Sequence, residues 1–345
     1  MKTFNQEYNL PPLYSRSQVF ASGLAASLAL ASPIAHAGQW HIQVDNDIIF
    51  GDDGNYTNAI ILGWESQAEA DLSFAPMPAQ WLGALTFSQA DAEHAWGWKV
   101  SQQMWTPGMI EVDAPQAEDR PYAGYLAFEG HTATYSARLA QKNWLSLGVV
   151  GPASANEQVQ SFVHKITGSS APQGWQYQVE NQLTLQAAYE IDSLFMRGAA
   201  FNNDFLGETQ WDIGGFSHTQ LGNFRSQADL GLSLRWGNEL ANSFGRLSQH
   251  AGQYGNLSAT SKSSSFMVYS RVYLGYRFND LTLDGSLPYD SQVELENRQA
   301  GINTGIIWAH PGWSIAWTFN SYTKEYKSDT DKWHGYGSLV VSWNL

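Results

Sequence analysis

Past Gly38 the chain alternates apolar and polar residues with a period of two, in segments of about ten residues, the beat of strands with two unlike faces. From Ala228 to Trp236 every second residue is apolar, and Asp229, Gly231, Ser233 and Arg235 stand between them. Val268, Val272, Leu274 and Tyr276 repeat the beat against Tyr269, Arg271, Gly275 and Arg277, as do Trp313, Ile315, Trp317 and Phe319, then Leu339, Val341, Trp343 and Leu345. The pattern predicts strands at 40–47, 57–66, 94–105, 122–138, 143–151, 178–191, 194–218, 226–237, 265–278, 292–308, 312–323 and 333–345. The seventh is taken as one bulged strand, interrupted near Asn202-Asn203.

A soluble sandwich would alternate too, because one face of each sheet packs on a core. Three features favour a membrane barrel. Trp and Tyr fall mostly near segment ends, the non-apolar face carries Arg, Asp and Gln, and the chain ends on an apolar residue of an alternating strand. The expected fold is therefore all-β: a twelve-stranded antiparallel transmembrane β-barrel of the outer membrane, an even count that lets the sheet close.

Composition narrows the compartment. Lys2 and Arg16, an apolar run from Val19 to Leu30, and Ala35-His36-Ala37 read as a signal peptide over residues 1–37, which leaves 38–345 as a single barrel domain. The run is too short to anchor the chain in a bilayer. There is no cysteine, hence no disulfide, and the net charge of −14 argues against nucleic acid and suits divalent cations or plain solubility. A monomer is expected.

With the N-terminus in the periplasm, odd-to-even connections lie outside the cell: 48–56, 106–121, 152–177, 219–225, 279–291 and 324–332. In the third, Val159, Phe162, Val163 and Ile166 recur at helical spacing between Gly151-Pro152 and Gly168-Ser169, which predicts a short helix on the extracellular rim. His164 lies one turn after Gln160 on it. Alone, His164 reads as a solvent-facing histidine. Asp45-Asn46-Asp47 and Asn55-Tyr56-Thr57 reach the same side of the membrane, however, and a histidine beside a carboxylate-held cation is suited to ester hydrolysis.

Strict alternation would point Asp47 into the lumen and Asn46 at lipid, so a shared site needs a bend or an opening at the rim. Arg120 could grip a phosphate or position its loop. Glu180, the one acidic residue between Glu157 and Glu190, could make a lumenal hydrogen bond or bind metal. The insertion at 67–93 falls on the periplasmic side without an assignable role.

These motifs resemble the outer-membrane lipid A 3′-O-deacylase family. The likeness lies in Asp45-Asn46-Asp47, Asn55-Tyr56-Thr57, Asp119 to Gly124, Gly148 to Pro152, Glu157 to His164, and Trp175 to Asn181, covering roughly residues 40–190. The resemblance implies Ca²⁺-dependent removal of the 3′-linked acyloxyacyl chain from lipid A of lipopolysaccharide, with the histidine activating water and Ca²⁺ stabilising the oxyanion. By position it assigns Asn46, Asp47, Thr57, Gln160 and His164 to the active site; the reading of the residues themselves adds Asp47 and Glu180 as candidate metal ligands and Arg120 as a candidate substrate contact. Two departures stand out: Gly168 to Val179 holds no acidic residue, and the second loop is acidic at Glu111, Asp113, Glu118 and Asp119 rather than lysine-rich. The competing readings are a non-enzymatic barrel, a porin or adhesion protein, and an outer-membrane phospholipase.

Overall fold

A computed structural model describes residues 38–47, 54–87, 91–204, 206–252 and 263–344. The leader expected over 1–37, the loop residues 48–53 and the terminal Leu345 lie outside them. Twelve antiparallel strands close into a barrel in sequence order, and β1 (Gly38–Asn46) pairs with β12 (Trp333–Asn344) to seal it. Between them run β2 (Asn55–Ser66), β3 (Glu93–Thr106), β4 (Ala123–Tyr135), β5 (Leu139–Val150), β6 (Gln182–Asn203), β7 (Gly207–Gly222), β8 (Arg225–Gly237), β9 (Ser265–Asp280), β10 (Arg298–His310) and β11 (Trp313–Thr323). Closure is what lipid demands, because an open edge would leave backbone groups without partners.

The faces sort as the alternation required. Leu145, Leu147, Leu230, Leu232, Leu234 and Val272 are exposed outward, where lipid covers them, while Lys99, Glu129, Lys142, Glu190 and Arg271 are buried inside. The count of twelve strands matches the expectation, but boundaries are corrected: β4 already ends at Tyr135, β10 starts only at Arg298, and the largest change is in β6. No turn occurs after Ile191: β6 runs on to Asn203, and the hairpin to β7 falls where an interruption within one strand was expected. Register shifts at Leu194/Met196 and Ala199/Asn202 put the alternation out of phase there, which hid the true turn.

The lumen is filled. Lys142 Nζ bridges Glu190 at 3.1 Å and Asp192 at 2.9 Å, and Arg271 binds the same two carboxylates at 3.1 and 3.0 Å. The periplasmic β8–β9 connection climbs into this space. Its Leu247 carbonyl accepts from Lys142 at 2.5 Å, its Ser248 hydroxyl donates to Glu190 at 2.9 Å, and its His250 stacks on Trp144 with ring centroids 4.4 Å apart. Four charges in a low-dielectric interior are tolerated because each is paired.

Two short helices lie beside the barrel wall: α1 (Met77–Gly83) in the periplasmic insertion, and α2 (Asn156–Thr167) in the third extracellular loop. The second is the helix expected from the apolar spacing, and Gly168, at φ 74°, ends it in the left-handed conformation that favours glycine.

Two outcomes follow. Leu232→Arg, which places a charge on the lipid face, costs about 2–4 kcal/mol of folding stability in vesicles, read by urea titration. Planar-bilayer recordings of the folded chain show no steady porin-like conductance; a stable open pore would contradict the filled lumen.

Candidate active site

The β1–β2 hairpin breaks the alternation at one residue. Tyr56 pairs with Trp105, and the next ladder pair is Asn58 with Met104, so Thr57 is an extra, bulged residue. Tyr56 stays inside: its hydroxyl donates to Asp45 Oδ2 at 2.7 Å and its ring packs on Trp105 and Tyr336. Thr57 joins the outward set instead, with its Oγ1 2.7 Å from Oγ1 of Thr106, the neighbour of lumenal Trp105. Asn46, in register with Asn58, shares the outward parity of exposed Ile42 and Val44. Asp47 lies just past the last ladder pair, where alternation no longer dictates its direction. Its N–H donates to the Thr57 carbonyl at 3.3 Å and its Oδ2 accepts from the Gly54 N–H at 3.1 Å. The bulge thus brings Thr57 to the side that Asn46 already faces, while the β1 ladder ends before Asp47.

The α2 helix docks on the same outward face, one strand further along. Gln102 Nε2 donates to the Ser154 carbonyl at 2.7 Å, just ahead of the helix. Gly124, paired with Met104, leaves room for the helix start: a Cβ there would lie 2.2 Å from Ser154 Oγ and 2.8 Å from Asn156 Cβ. Met104 packs with Ile110, Tyr122 and Trp175, and Val159 of α2 covers that cluster. Thr57, Thr106, Met104 and Val159 therefore form a continuous path from the hairpin to the helix.

Asn156, Gln160 and His164 recur every fourth residue along α2, and the first two are buried. Trp175 Nε1 donates to Gln160 Oε1 at 2.6 Å, which fixes the carboxamide and leaves its Nε2 a buried donor without a partner. Such a donor costs folding free energy unless a ligand accepts from it. His164 Nδ1 is 2.5 Å from the Ser170 carbonyl. A carbonyl only accepts, so Nδ1 carries the hydrogen and Nε2 is the basic nitrogen.

The other expected residues stand elsewhere. Arg120 is fully buried at the extracellular mouth of the lumen, 2.7 Å from Glu325, 3.1 Å from Thr282 and 3.4 Å from Asn55. Of the roles left open for it, positioning its loop is the one these contacts serve. Glu180 is exposed at the approach to β6 with its N–H on the Ser286 carbonyl, and in barrel order β2 to β5 separate β6 from β1. The structure does not bring it to Asp47. Asp119 accepts from the Gly108 N–H and the Tyr326 hydroxyl, so one acid of the second loop is spent on loop structure. Sequence reasoning missed Thr106, Met104 and Asn156; only Asn156 left a signal, the fourfold spacing with Gln160 and His164.

A family model described as outer membrane protein LpxR matches residues 19–345. The chain belongs to the LpxR family. It is the family that the motifs resembled, the lipid A 3′-O-deacylases of the outer membrane, and it places the chain in that membrane. LpxR from Salmonella typhimurium has the same fold, with a TM-score of 0.69 at 17% identity over 88% of this chain and 99% of that one. The β domain of the Bordetella autotransporter BrkA, at a TM-score of 0.40 and 10% identity over 90% of this chain and 98% of that one, is a more distant barrel. Curated protein sequences gave no match.

The docking of α2 yields a direct test. Gly124→Val pushes the helix start from the wall, so amides of 157–167 exchange with solvent at least ~10-fold faster, a loss of about one hydrogen bond's worth of protection. Heat-modifiable migration on gels, the mark of a folded barrel, is retained. Unchanged exchange would show that the helix does not depend on that contact.

Proposed function

We propose that this LpxR-family chain is a Ca²⁺-dependent lipid A 3′-O-deacylase, hydrolysing the ester of the 3′-linked acyloxyacyl chain in the outer leaflet. The observation that carries the reading is the side on which the polar residues gather. Thr57, Asn46 and the Gln160–His164 stripe belong to the outward face at the extracellular rim, where a lipid ester arrives without leaving its leaflet. A porin would use the lumen, which is packed with ion pairs and the β8–β9 connection.

His164 Nε2 takes a proton from water as the water oxygen attacks the ester carbonyl carbon. The partnerless Gln160 Nε2–H is suited to donate to the substrate, and Trp175 holds it in orientation. Breakdown cleaves the bond to the sugar oxygen, which recovers the proton from the imidazolium. The products are the free acid and a lipid A with a 3′ hydroxyl.

The donor chemistry at the hairpin fits a hard cation. Asp47 carboxylate, Asn46 carboxamide and Thr57 hydroxyl are oxygen donors, and they would hold Ca²⁺ with help from backbone carbonyls and water. Among the described residues no cluster of three or more His, Asp or Glu stands ready for a metal, and Asp47 is the carboxylate this reading assigns to Ca²⁺. When bound, Ca²⁺ supplies positive charge beside the scissile carbonyl and so stabilises the transition-state oxyanion.

Mass spectrometry of lipid A from cells expressing the chain tests this. The wild type yields 3′-deacylated lipid A when Ca²⁺ is present; His164→Ala lowers the rate by about 10²–10⁴-fold while the barrel still folds. Asp47→Ala reduces both the rate and its dependence on Ca²⁺. Unchanged lipid A with a folded wild-type barrel, or acyl release from glycerophospholipids alone, would contradict the proposal.

A further inference from the structure

The barrel has a gap in its lipid-facing surface near the periplasmic rim, and the insertion after β2 covers it. On β1 to β3 that rim carries an aromatic girdle: Trp64 meets Trp96 with centroids 4.9 Å apart, and Trp40 meets Trp98 at 5.6 Å. The ladder row from Trp96 continues through Thr132 of β4 and Asn143 of β5 to Tyr189 of β6. Two polar side chains thus occupy the outward face where the neighbouring strands present rings. Bare to lipid they would be costly. Yet Thr132 is 1% and Asn143 2% exposed, because protein lies over this part of the wall.

The covering element is the segment that includes α1. The Phe87 N–H donates to Gln141 Oε1 at 2.9 Å and Gln141 Nε2 returns a bond to the Phe87 carbonyl at 3.2 Å; Gln141 is itself outward and fully buried. A Cβ on Gly83 would meet Leu72 and the Thr132 methyl, so the end of α1 lies against β4. The opposite side of the segment is apolar and open. Met77 is 62%, Trp81 68%, Leu85 67% and Phe87 62% exposed, and no charged residue occurs from Leu72 to Phe87. Four large apolar side chains on one aqueous surface would be a marked liability.

We infer that the 72–87 segment is a lipid anchor, seated in the interface of the periplasmic leaflet with Met77, Trp81, Leu85 and Phe87 among glycerophospholipid chains. Continuity with the barrel's lipid-facing belt identifies the occupant. The segment lies on the outer wall, on the same face as the girdle, and Trp81 supplies over β4 and β5 the outward-facing indole those strands lack. Its polar backbone and glutamine contacts face the wall, so the segment trades a polar strip for an apolar one. The absence of charge suits zwitterionic headgroups and gives no handle for a basic or acidic partner.

The chain has no cysteine, so single cysteines can be labelled cleanly. Trp81→Cys and, as a second variant, Leu85→Cys are tagged with an environment-sensitive fluorophore. Each is refolded into phosphatidylcholine vesicles carrying nitroxides shallow or deep on the acyl chain, and folding is checked by heat-modifiable migration. Leu147→Cys on the exposed β5 face is the lipid reference, and Thr330→Cys in the extracellular loop is the aqueous one. Quenching by lipid nitroxide at positions 81 and 85 reaches about half or more of the Leu147 level and is strongest with the shallow probe, as for a helix about 5–10 Å deep in the interface. Aqueous iodide quenches them several-fold less than Thr330→Cys. Iodide quenching equal to that at Thr330 without lipid quenching would overturn the inference. So would efficient 81-to-81 disulfide formation with loss of lipid quenching, which would assign the surface to a second copy of the chain.

Discussion

Every other feature of this protein depends on the closed backbone ladder. In lipid an unpaired N–H or C=O costs several kcal/mol, so the sheet must seal on itself, which it does through the β1–β12 pairing. Once sealed, each strand has one face for lipid and one for the lumen, and side chains are assigned to them by parity alone. A site that draws adjacent residues to one side can arise only where the ladder is broken. The bulge at Thr57 is such a break: Tyr56 keeps its bond to lumenal Asp45, while Thr57 reaches outward to Thr106.

The filled lumen has a functional consequence. Glu190 and Asp192 each bind both Lys142 and Arg271, and the β8–β9 connection adds backbone and hydroxyl bonds to the same network. At the extracellular mouth Glu325 joins Arg120 and Arg277 at 2.7 and 2.6 Å, tying the second and last extracellular loops to the end of β9. Removing one member of such a group strands its partner's charge, and these contacts link the strands and loops across the lumen. For the proposed reaction this matters because α2 is carried on the outside of that wall, and a small displacement of Gln160 or His164 would misalign the groups assigned to it. The inside supports the site, and the outside performs the reaction proposed for it.

Much of this was legible in the sequence because parity is a local property. The twelve strands, the extracellular side of the hairpin and the rim helix follow from period two, period 3.6 and the order of loops. Asn46, Asp47, Thr57, Gln160 and His164 were singled out through their motif context, and the structure sets Asn46 and Thr57 on the outward side of the hairpin and Gln160 and His164 on α2. What escaped notice depends on contacts distant in sequence or on an inverted environment. The β6–β7 turn was misplaced because two bulges shift the phase of β6. The entry of the β8–β9 connection into the lumen is set by Lys142, Glu190 and Glu129, which lie 58 to 121 residues earlier in the chain. α1 gave no amphipathic signature against water, since its exposed side is its apolar one. Thr106 and Met104 became part of the candidate site only through the register of β2 on β3.

The proposed reaction belongs to the outward face, reached through a one-residue break in the β2 ladder. Tyr56 and Thr57 are adjacent in sequence and opposite in direction, so the pair separates the two faces in a single experiment. The measurement is the rate of 3′-deacylation of lipid A by Thr57→Val and by Tyr56→Phe, each confirmed as a folded barrel. A reaction on the outward face gives a loss of about tenfold or more for Thr57→Val and a rate near wild type for Tyr56→Phe. The reverse order, with the lumenal hydroxyl essential and the outward one dispensable, would contradict it.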